Sequence, residues 1–105
     1  MEMPTKEELN GKAKFSLGLV VMTPGIQEKV ASIDYTFAWF VKDCLVKHSK
    51  GDWGSLSDED KKLNDGALLE SNRIHSSYES PDFGKVWIIT EWDRSVTTVL
   101  LPEEY

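Results

Sequence analysis

The stretch RIHSSYESPDFGKVWIITEWDRSVTTVLL, residues 73–101, decides the fold. Its apolar and polar side chains alternate with a period of two, which is the period of a β-strand. SPDFG at 80–84 carries the proline and glycine of a turn, and Asp93-Arg94 offers a tighter connection. The stretch therefore predicts three antiparallel strands, at 73–80, 85–92 and 95–101. Both faces of the middle strand are apolar, so we expect it to lie between the other two.

Upstream of this stretch, one segment is typical of a strand and two have helical character. FSLGLVVM at 15–22 is apolar almost throughout, as a strand buried on both faces would be, and it could pair at an edge of the sheet or lie in its centre. Thr23 can cap a short helix over 24–32. The best helix is predicted at 35–48, because its apolar residues recur at helical spacing. These residues are Phe37, Phe40, Val41, Cys44, Leu45 and His48.

A third helix is predicted to begin after Ser57, which can cap it. Acidic residues fill its first turn, where the helix dipole favours negative charge. The side chains expected to face the core are Leu63, Ala67 and Leu68.

These elements predict one α+β domain over residues 15–105. An N-terminal strand and about three helices would pack on a C-terminal three-stranded antiparallel meander. The polar segment 1–14 is expected to be a flexible N-terminal arm. PEEY at 102–105 is expected to leave the sheet at its proline.

Charge and composition exclude several classes of protein. The chain has 105 residues, with 18 acidic and 12 basic residues and a net charge of −6. This balance argues against a dedicated nucleic-acid binder, which usually carries a basic face. A single cysteine allows no intramolecular disulfide, and the longest apolar run is too short to cross a membrane. We therefore expect a cytoplasmic protein without a membrane partner.

His48 is the first candidate for chemistry, because it continues the apolar stripe at the predicted end of a helix. The helix dipole stabilises a charged histidine there, and Asp52 could orient it as a general acid or base. Alternatively, the imidazole covers the end of the helix and bonds a free carbonyl.

A metal site is a second candidate. Cys44 and His48 are spaced i, i+4 on one helix face, and His75 could supply a third ligand. One cysteine and two histidines are few for such a site, and buried apolar stripes produce the same spacing. The sequence also lacks a glycine-rich phosphate loop and a strand–GxGxxG–helix unit. We expect neither a metal nor a cofactor.

The predicted strands also present a polar face and a glycine-flanked loop. The residues of this face are Arg73, His75, Ser77 and Glu79, with Glu91, Asp93, Arg94, Ser95 and Thr97 close by. They could bind a phosphate or carboxylate, or form a solvated face with cross-strand ion pairs. In the loop, Asp52 and Trp53 lie between two glycines. They could hold the loop together or carry a site.

The motifs of the second half resemble a family of small proteins from bacterial plasmids and conjugative elements. The family is labelled "plasmid-related protein" or a subunit of type I restriction systems. The resemblance covers about 48–105, with the TPG turn at 23–25 as a further match. The motifs that carry it are His48-x-x-Gly51-Asp52-Trp53-Gly54, Thr90-Glu91-x-Asp93-Arg94-Ser95, Thr97-Thr98 and Pro102-Glu103-Glu104-Tyr105. It implies that the protein serves a mobile genetic element.

Two functional hypotheses follow. In the first, the protein is a small, non-catalytic cytosolic accessory protein that binds another protein, and it could also form a homodimer. Its binding residues would be His48, Asp52, Trp53, Arg73, Glu91, Asp93 and Arg94.

In the second, the protein is a small metal-independent ribonuclease resembling microbial toxins, and RNA would be its partner. His48 would act as acid or base. Arg73 and Arg94 would hold the phosphate, and Thr97 or Thr98 would orient it. The acidic net charge favours the first hypothesis.

Overall fold

The computed structural model describes residues 13–32 and 35–105. Its elements, in chain order, are β1 (Leu19–Met22), α1 (Pro24–Ser32), α2 (Tyr35–Ser49), α3 (Asp58–Glu70), β2 (Ile74–Ser80), β3 (Gly84–Thr90), β4 (Val96–Leu100) and a 3-10 turn (Pro102–Glu104). This mixed order confirms the predicted α+β class. The predicted arm at 1–14 lies outside the described residues except for its end, where the Lys14 N–H donates to the Ser49 carbonyl at 2.7 Å.

The four strands form one sheet with the order β1-β4-β3-β2. β2, β3 and β4 are antiparallel neighbours, which confirms the predicted meander. β3 lies between β2 and β4, as its two apolar faces indicate. β1 adds to the meander as a fourth strand that runs parallel to β4.

Of the two positions left open for the first strand, the structure shows the edge, so the expected burial on both faces is wrong. β1 lies at the edge of the sheet, and the Leu19 side chain on its outer face is 66% exposed. Val20 and Met22, on the opposite face, pack against the core. The strand begins after Gly18, whose φ is +63° and whose added Cβ would lie 2.3 Å from the Ser95 carbonyl oxygen. This close approach to the β4 backbone requires glycine.

The core lies between α1, α2 and one face of the sheet. The predicted stripe of α2 is confirmed, since Phe37, Val41 and Leu45 are completely buried and Phe40 packs at the margin. The side chains that they meet on the sheet include Tyr78, Val86, Ile88 and Val99. Each large side chain buried in this way stabilises the fold by about 1.5–3 kcal/mol.

α3 packs at the β2 side of the sheet rather than over its centre. The predicted cap is confirmed, because the Ser57 side chain accepts a hydrogen bond from the Asp60 N–H at 3.2 Å. The prediction that Leu63 faces the core is wrong, since its side chain is 71% exposed. Asn64 is buried instead, at 6% exposure, because its amide pairs with the backbone of β2. A polar contact therefore sets the rotation of this helix.

After β4 the chain leaves the sheet as predicted, but it then folds back onto the start of α1. The Glu104 carboxylate accepts from the Thr23 hydroxyl at 2.5 Å, from the Gly25 N–H at 2.9 Å and from the Leu101 N–H at 3.0 Å. The cap of α1 is therefore this carboxylate, and the prediction that the Thr23 side chain caps the helix is wrong. An anion at this position is favoured by the helix dipole.

Candidate functional site

His48 belongs to a chain of hydroxyl groups inside the core. Its Nδ1 lies 2.5 Å from the Ser76 hydroxyl, and its Nε2 lies 2.9 Å from the Thr90 hydroxyl. Thr90 in turn lies 2.7 Å from the Thr97 hydroxyl, which donates to the Leu17 carbonyl at 2.6 Å. One imidazole thus connects α2 to β2 and β3, and through Thr97 to β4 and the segment before β1.

The number of protons available in this chain of hydroxyl groups determines the tautomer of His48. Thr97 has a single proton and gives it to Leu17, so Thr90 must donate to Thr97. The proton of Thr90 is then used, so Thr90 accepts from the Nε2–H of His48. In the neutral ring Nδ1 carries no proton, and it accepts from Ser76. Every polar atom of the ring therefore has a partner, and the ring is neutral.

The environment of His48 is incompatible with an accessible acid or base. The side chain is completely buried, and burial is the largest cause that lowers its pKa to about 3. Phe15 and Trp53 pack edge-on against the ring. As the arrangement stands, no substrate atom can reach it. The alternative prediction, that the imidazole bonds a free carbonyl at the helix end, is also wrong. The ring bonds the hydroxyls of Ser76 and Thr90 on the sheet.

Arg94 holds the end of α3. Its Nη1 donates to the Asn72 carbonyl at 2.6 Å, and its Nη2 donates to the Ala67 carbonyl at 3.1 Å. The guanidinium also lies 5.6 Å from the centre of the Phe15 ring. The Arg94 backbone has a φ of 61°, the left-handed conformation of the turn between β3 and β4. These contacts occupy most of the donors that would be needed to hold a phosphate.

The two predicted aspartates shape their own loops. Asp93 Oδ1 accepts from the Ser95 N–H at 3.0 Å and from its hydroxyl at 2.6 Å, and these bonds lower the pKa of Asp93. Asp52 Oδ1 accepts from the Gly54 N–H at 3.1 Å. Trp53 is buried, and its Nε1–H donates to Asp65 at 2.9 Å. The glycine-flanked loop is thus held together by its own polar groups.

The two threonines of the ribonuclease hypothesis point to opposite faces of β4. Thr97 is buried in the hydroxyl chain, whereas Thr98 is half-buried on the open face. Together with the burial of His48, this separation leaves His48, Arg94 and Thr98 without a common accessible point.

The outer edge of β2 is closed by two different devices. At His75, the Asn64 side chain both donates to the carbonyl, at 2.7 Å, and accepts from the N–H, at 3.2 Å. At Ser77, the N–H donates to the Trp53 carbonyl at 3.3 Å, and the carbonyl accepts from the Ser55 N–H at 2.7 Å. Gly54 makes this possible, since a Cβ there would lie 1.9 Å from the Ser77 oxygen. Two successive outward-facing residues of β2 are thereby satisfied.

The open face of the sheet carries a groove that borders β2, β3 and the start of α3. Its volume is about 580 Å³. Its lining residues are Ser55, Leu56, Ser57, Asp60, Leu63, Asn64, Arg73, His75, Ser77, Lys85 and Trp87. Arg73 lies 3.6 Å from Glu91, and Lys85 lies 3.6 Å from Glu79, so an ion pair stands at each end of β2. Both pairs are half-exposed, as the predicted cross-strand ion pairs would be.

His75 is the polar residue of this groove whose bonding is incomplete. Its Nε2 is buried and has no hydrogen-bond partner within the described residues. Its ring lies 4.6 Å from the Trp87 ring and stacks on Tyr105 at 6.2 Å. Burial, followed by the charge of Arg73, lowers the pKa of His75, while Asp60 acts in the opposite sense. The ring is therefore neutral at pH 7 and has an unused polar atom.

Sequence reasoning identified Arg73 and Glu91 but overlooked Lys85, Trp87 and Tyr105. Alternation along β3 places Trp87 on the same face as Glu91, so its position beside the polar residues could have been predicted. Tyr105 reaches the face through the returning C-terminal segment, and its hydroxyl accepts from Arg73 Nη1 at 3.2 Å. No local sequence pattern predicts that the C-terminal segment folds back onto this face.

The metal candidates do not assemble. Among residues 13–32 and 35–105, no group of three histidine, cysteine or acidic side chains is placed to hold an ion. Burial raises the pKa of the Cys44 thiol to about 12, and both nitrogens of His48 are bonded to hydroxyls. Cys44 therefore serves as a small apolar core residue.

No protein-family model, curated protein or solved structure matches this chain. In the part of the chain that the structure describes, no helix is long and apolar enough to cross a membrane. Among the described residues, the buried side-chain polar atom without a hydrogen-bond partner is His75 Nε2, and His75 lines the open-face groove.

Proposed function

We propose that the protein is a small, non-catalytic cytosolic accessory protein of a mobile genetic element, and that it binds another protein through the open-face groove. One observation carries the proposal. Internal hydrogen bonds occupy His48 and most of the polar atoms of Arg94, whereas Arg73, His75 and Lys85 line an open groove.

The burial of His48 supports a non-catalytic role. General acid–base catalysis needs a group within hydrogen-bond reach of the substrate and a pKa near the working pH. His48 is completely buried, and its pKa is lowered to about 3. A ribonuclease built on this residue would have to open the core first.

The composition of the groove supports a protein partner. Tryptophan, tyrosine and arginine carry much of the binding energy at protein interfaces. Here Trp87, Tyr105 and Arg73 contact one another or a shared neighbour on one open face. The net charge of −6 disfavours RNA at the same place. The mobile-element context rests on the sequence resemblance described above.

The test is quantitative affinity capture from a host that carries the mobile element, with matched variants. Arg73→Ala removes a groove cation, and Lys47→Ala is its control. Both side chains are 48% exposed, and both belong to an ion pair. Trp87→Ala is paired with Trp39→Ala on the exposed side of α2.

The proposal expects a specific protein that wild type and both controls retain and that both groove variants lose. Equal retention by Arg73→Ala, Trp87→Ala and wild type would show that the groove is not the binding surface. RNA cleavage by wild type that disappears in His48→Gln would instead establish the ribonuclease hypothesis.

A further inference from the structure

We infer that β1 pairs with the β1 strand of a second copy of this chain, in an antiparallel arrangement with its two-fold axis at Val21. The pairing is independent of the proposed function, since the open-face groove lies at the β2 side of the sheet and β1 forms the opposite edge. The outward backbone groups of β1, its exposed side chains and the lack of charge around it support this pairing.

The backbone of β1 has polar groups that point away from the sheet. The N–H groups of Leu19 and Thr23 donate to carbonyls on the β4 side, at 2.9 Å and 3.1 Å. Successive residues of a strand direct their backbone groups to opposite sides, so those of Val20 and Met22 point outward. No described strand lies beyond them. An edge of this kind is a template for a further strand.

The Gln27 side chain lies at this edge without closing it. Its Nε2 donates to the Met22 carbonyl at 2.9 Å, in an exposed hydrogen bond. A carbonyl oxygen has two lone pairs, so the same carbonyl can accept a second bond from another strand. The bond from Gln27 uses no N–H group of β1.

The pattern of β1 is complementary to itself. In an antiparallel pair centred on Val21, Val20 of one copy lies opposite Met22 of the second copy, and the two residues exchange backbone hydrogen bonds. The two Val21 side chains then lie directly opposite each other, with their Cα atoms about 4.5 Å apart. Val21 and Leu19 are on the outer face, at 36% and 66% exposure, so pairing covers part of this apolar surface.

Charge favours this edge for contact between two copies of an acidic protein. The net charge is −6, yet no charged residue occurs in residues 15–27, which contain β1. The Glu104 carboxylate bonds this segment, but its oxygens already accept from Thr23, Gly25 and Leu101. Edge strands that stay single commonly carry lysine or proline, and β1 has neither. Two copies can therefore approach at β1 without bringing like charges together.

The interface is small, so the dimer is expected to be weak. β1 has 4 residues, whereas a standard protein–protein interface buries about 1,600 Å². We therefore expect a dissociation constant on the order of 100 µM. Because each groove lies at the β2 side of its own sheet, the dimer would present both open-face grooves to partners.

The test combines sedimentation velocity with backbone amide exchange of the full chain, between about 10 µM and 1 mM. The dimer should form within this range. The Val20 and Met22 amides should exchange about fourfold more slowly at the high concentration, as the monomer fraction falls. The Leu19 and Val21 amides, which face β4, should keep the same protection throughout.

Variants locate the contact. Val21→Lys places two lysines opposite each other across the axis, so it should weaken dimerisation by about tenfold or more. Leu19→Lys, at a side chain that is 66% exposed, repeats the test where the cost to the fold is smaller. The matched control is Leu69→Lys on α3, where the side chain is 89% exposed. Leu69→Lys and the groove variant Arg73→Ala should both dimerise like wild type.

Three results would overturn the inference. The first is a wild-type protein that stays monomeric at about 1 mM. The second is protection of the Val20 and Met22 amides at every concentration, which would mean that another part of the same chain covers β1. The third is a dimer that Val21→Lys leaves intact and Trp87→Ala abolishes, which would place the contact at the open-face groove.

Discussion

The Nε2 atom of His48 donates to the hydroxyl of Thr90 across 2.9 Å, and this bond ties the main helix to the central strand. The bond is buried, and each further group of the chain is a hydroxyl or a backbone carbonyl. A proton added to His48 would arrive at Nδ1, where Ser76 already donates. Charging the ring would reverse the direction of this hydrogen bond and leave a cation in the core with no carboxylate in the hydrogen-bonded chain.

We predict that stability falls as the pH is lowered below 6.5. The pKa of His48 is 6.5 in the unfolded chain and about 3 in the fold, so only the unfolded state takes up this proton in that interval. The free energy of unfolding should fall by up to about 1.4 kcal/mol for each pH unit from His48 alone. Urea unfolding between pH 6.5 and pH 5 avoids most carboxylate titration. The slope should shrink in His48→Gln and persist largely in His75→Gln; equal slopes in wild type and His48→Gln would contradict it.

Thr97→Val should destabilise the protein by about 2–3 kcal/mol, because it leaves the Leu17 carbonyl and the Thr90 hydroxyl without their partner in a buried site. Thr98→Val is the matched control on the opposite face of the same strand. It should change the free energy of unfolding by no more than about 0.5 kcal/mol. Chemical denaturation of both variants measures the difference, and similar losses would refute the role given to Thr97.

Three glycine variants should differ in sign and size. Gly54→Ala places a Cβ 1.9 Å from the Ser77 oxygen at a φ of +73°, so it should cost more than about 2 kcal/mol. Gly84→Ala has a φ of +79° but open space, so it should cost about 1 kcal/mol. Gly66→Ala, with nothing within 4 Å in α3, should stabilise by about 0.5–1 kcal/mol. Thermal unfolding gives this order, and a Gly54→Ala protein as stable as Gly84→Ala would contradict the close approach.

Asn64→Ala should destabilise the protein by about 2 kcal/mol, since the N–H and the carbonyl of His75 both lose their bond. The more specific readout is amide hydrogen exchange. The His75 amide should exchange much faster in the variant, whereas the Ile89 amide on the neighbouring strand keeps its protection. Unchanged protection of the His75 amide would mean that Asn64 does not close this edge.

The main helix and the three strands of the meander could be predicted because their signals are local. The α2 stripe repeats at 3.6 residues and the β3 alternation at two, and each periodicity follows from burial of one or both faces. Local periodicity does not show whether a strand lies at the edge of a sheet or in its centre. The apolar run before Thr23 has the composition of a central strand, and only its pairing with β4 shows that Leu19 is exposed.

The candidate site was harder to predict, because its residues acquire their roles from distant partners. Thr90 lies 42 residues from His48 in the sequence. Its hydrogen bond to the imidazole gives His48 a structural role, and no local pattern around His48 indicates this bond. Arg94 lies 27 residues from Ala67, whose carbonyl it bonds near the end of α3, so local sequence does not indicate this role. The prediction of Arg73 and Glu91 on one polar face is confirmed, since that follows from strand alternation alone.

The closed edge of β2 also limits how molecules of this protein can assemble. Asn64 and the 53–55 loop occupy the outward backbone groups of His75 and Ser77. No described strand lies beyond β1, where the Gln27 side chain donates to the Met22 carbonyl at 2.9 Å. We therefore expect a further strand to join the described sheet at β1 rather than at β2. Two molecules joined through their β1 edges would each have used that side, so an edge-to-edge association of this kind ends at a pair.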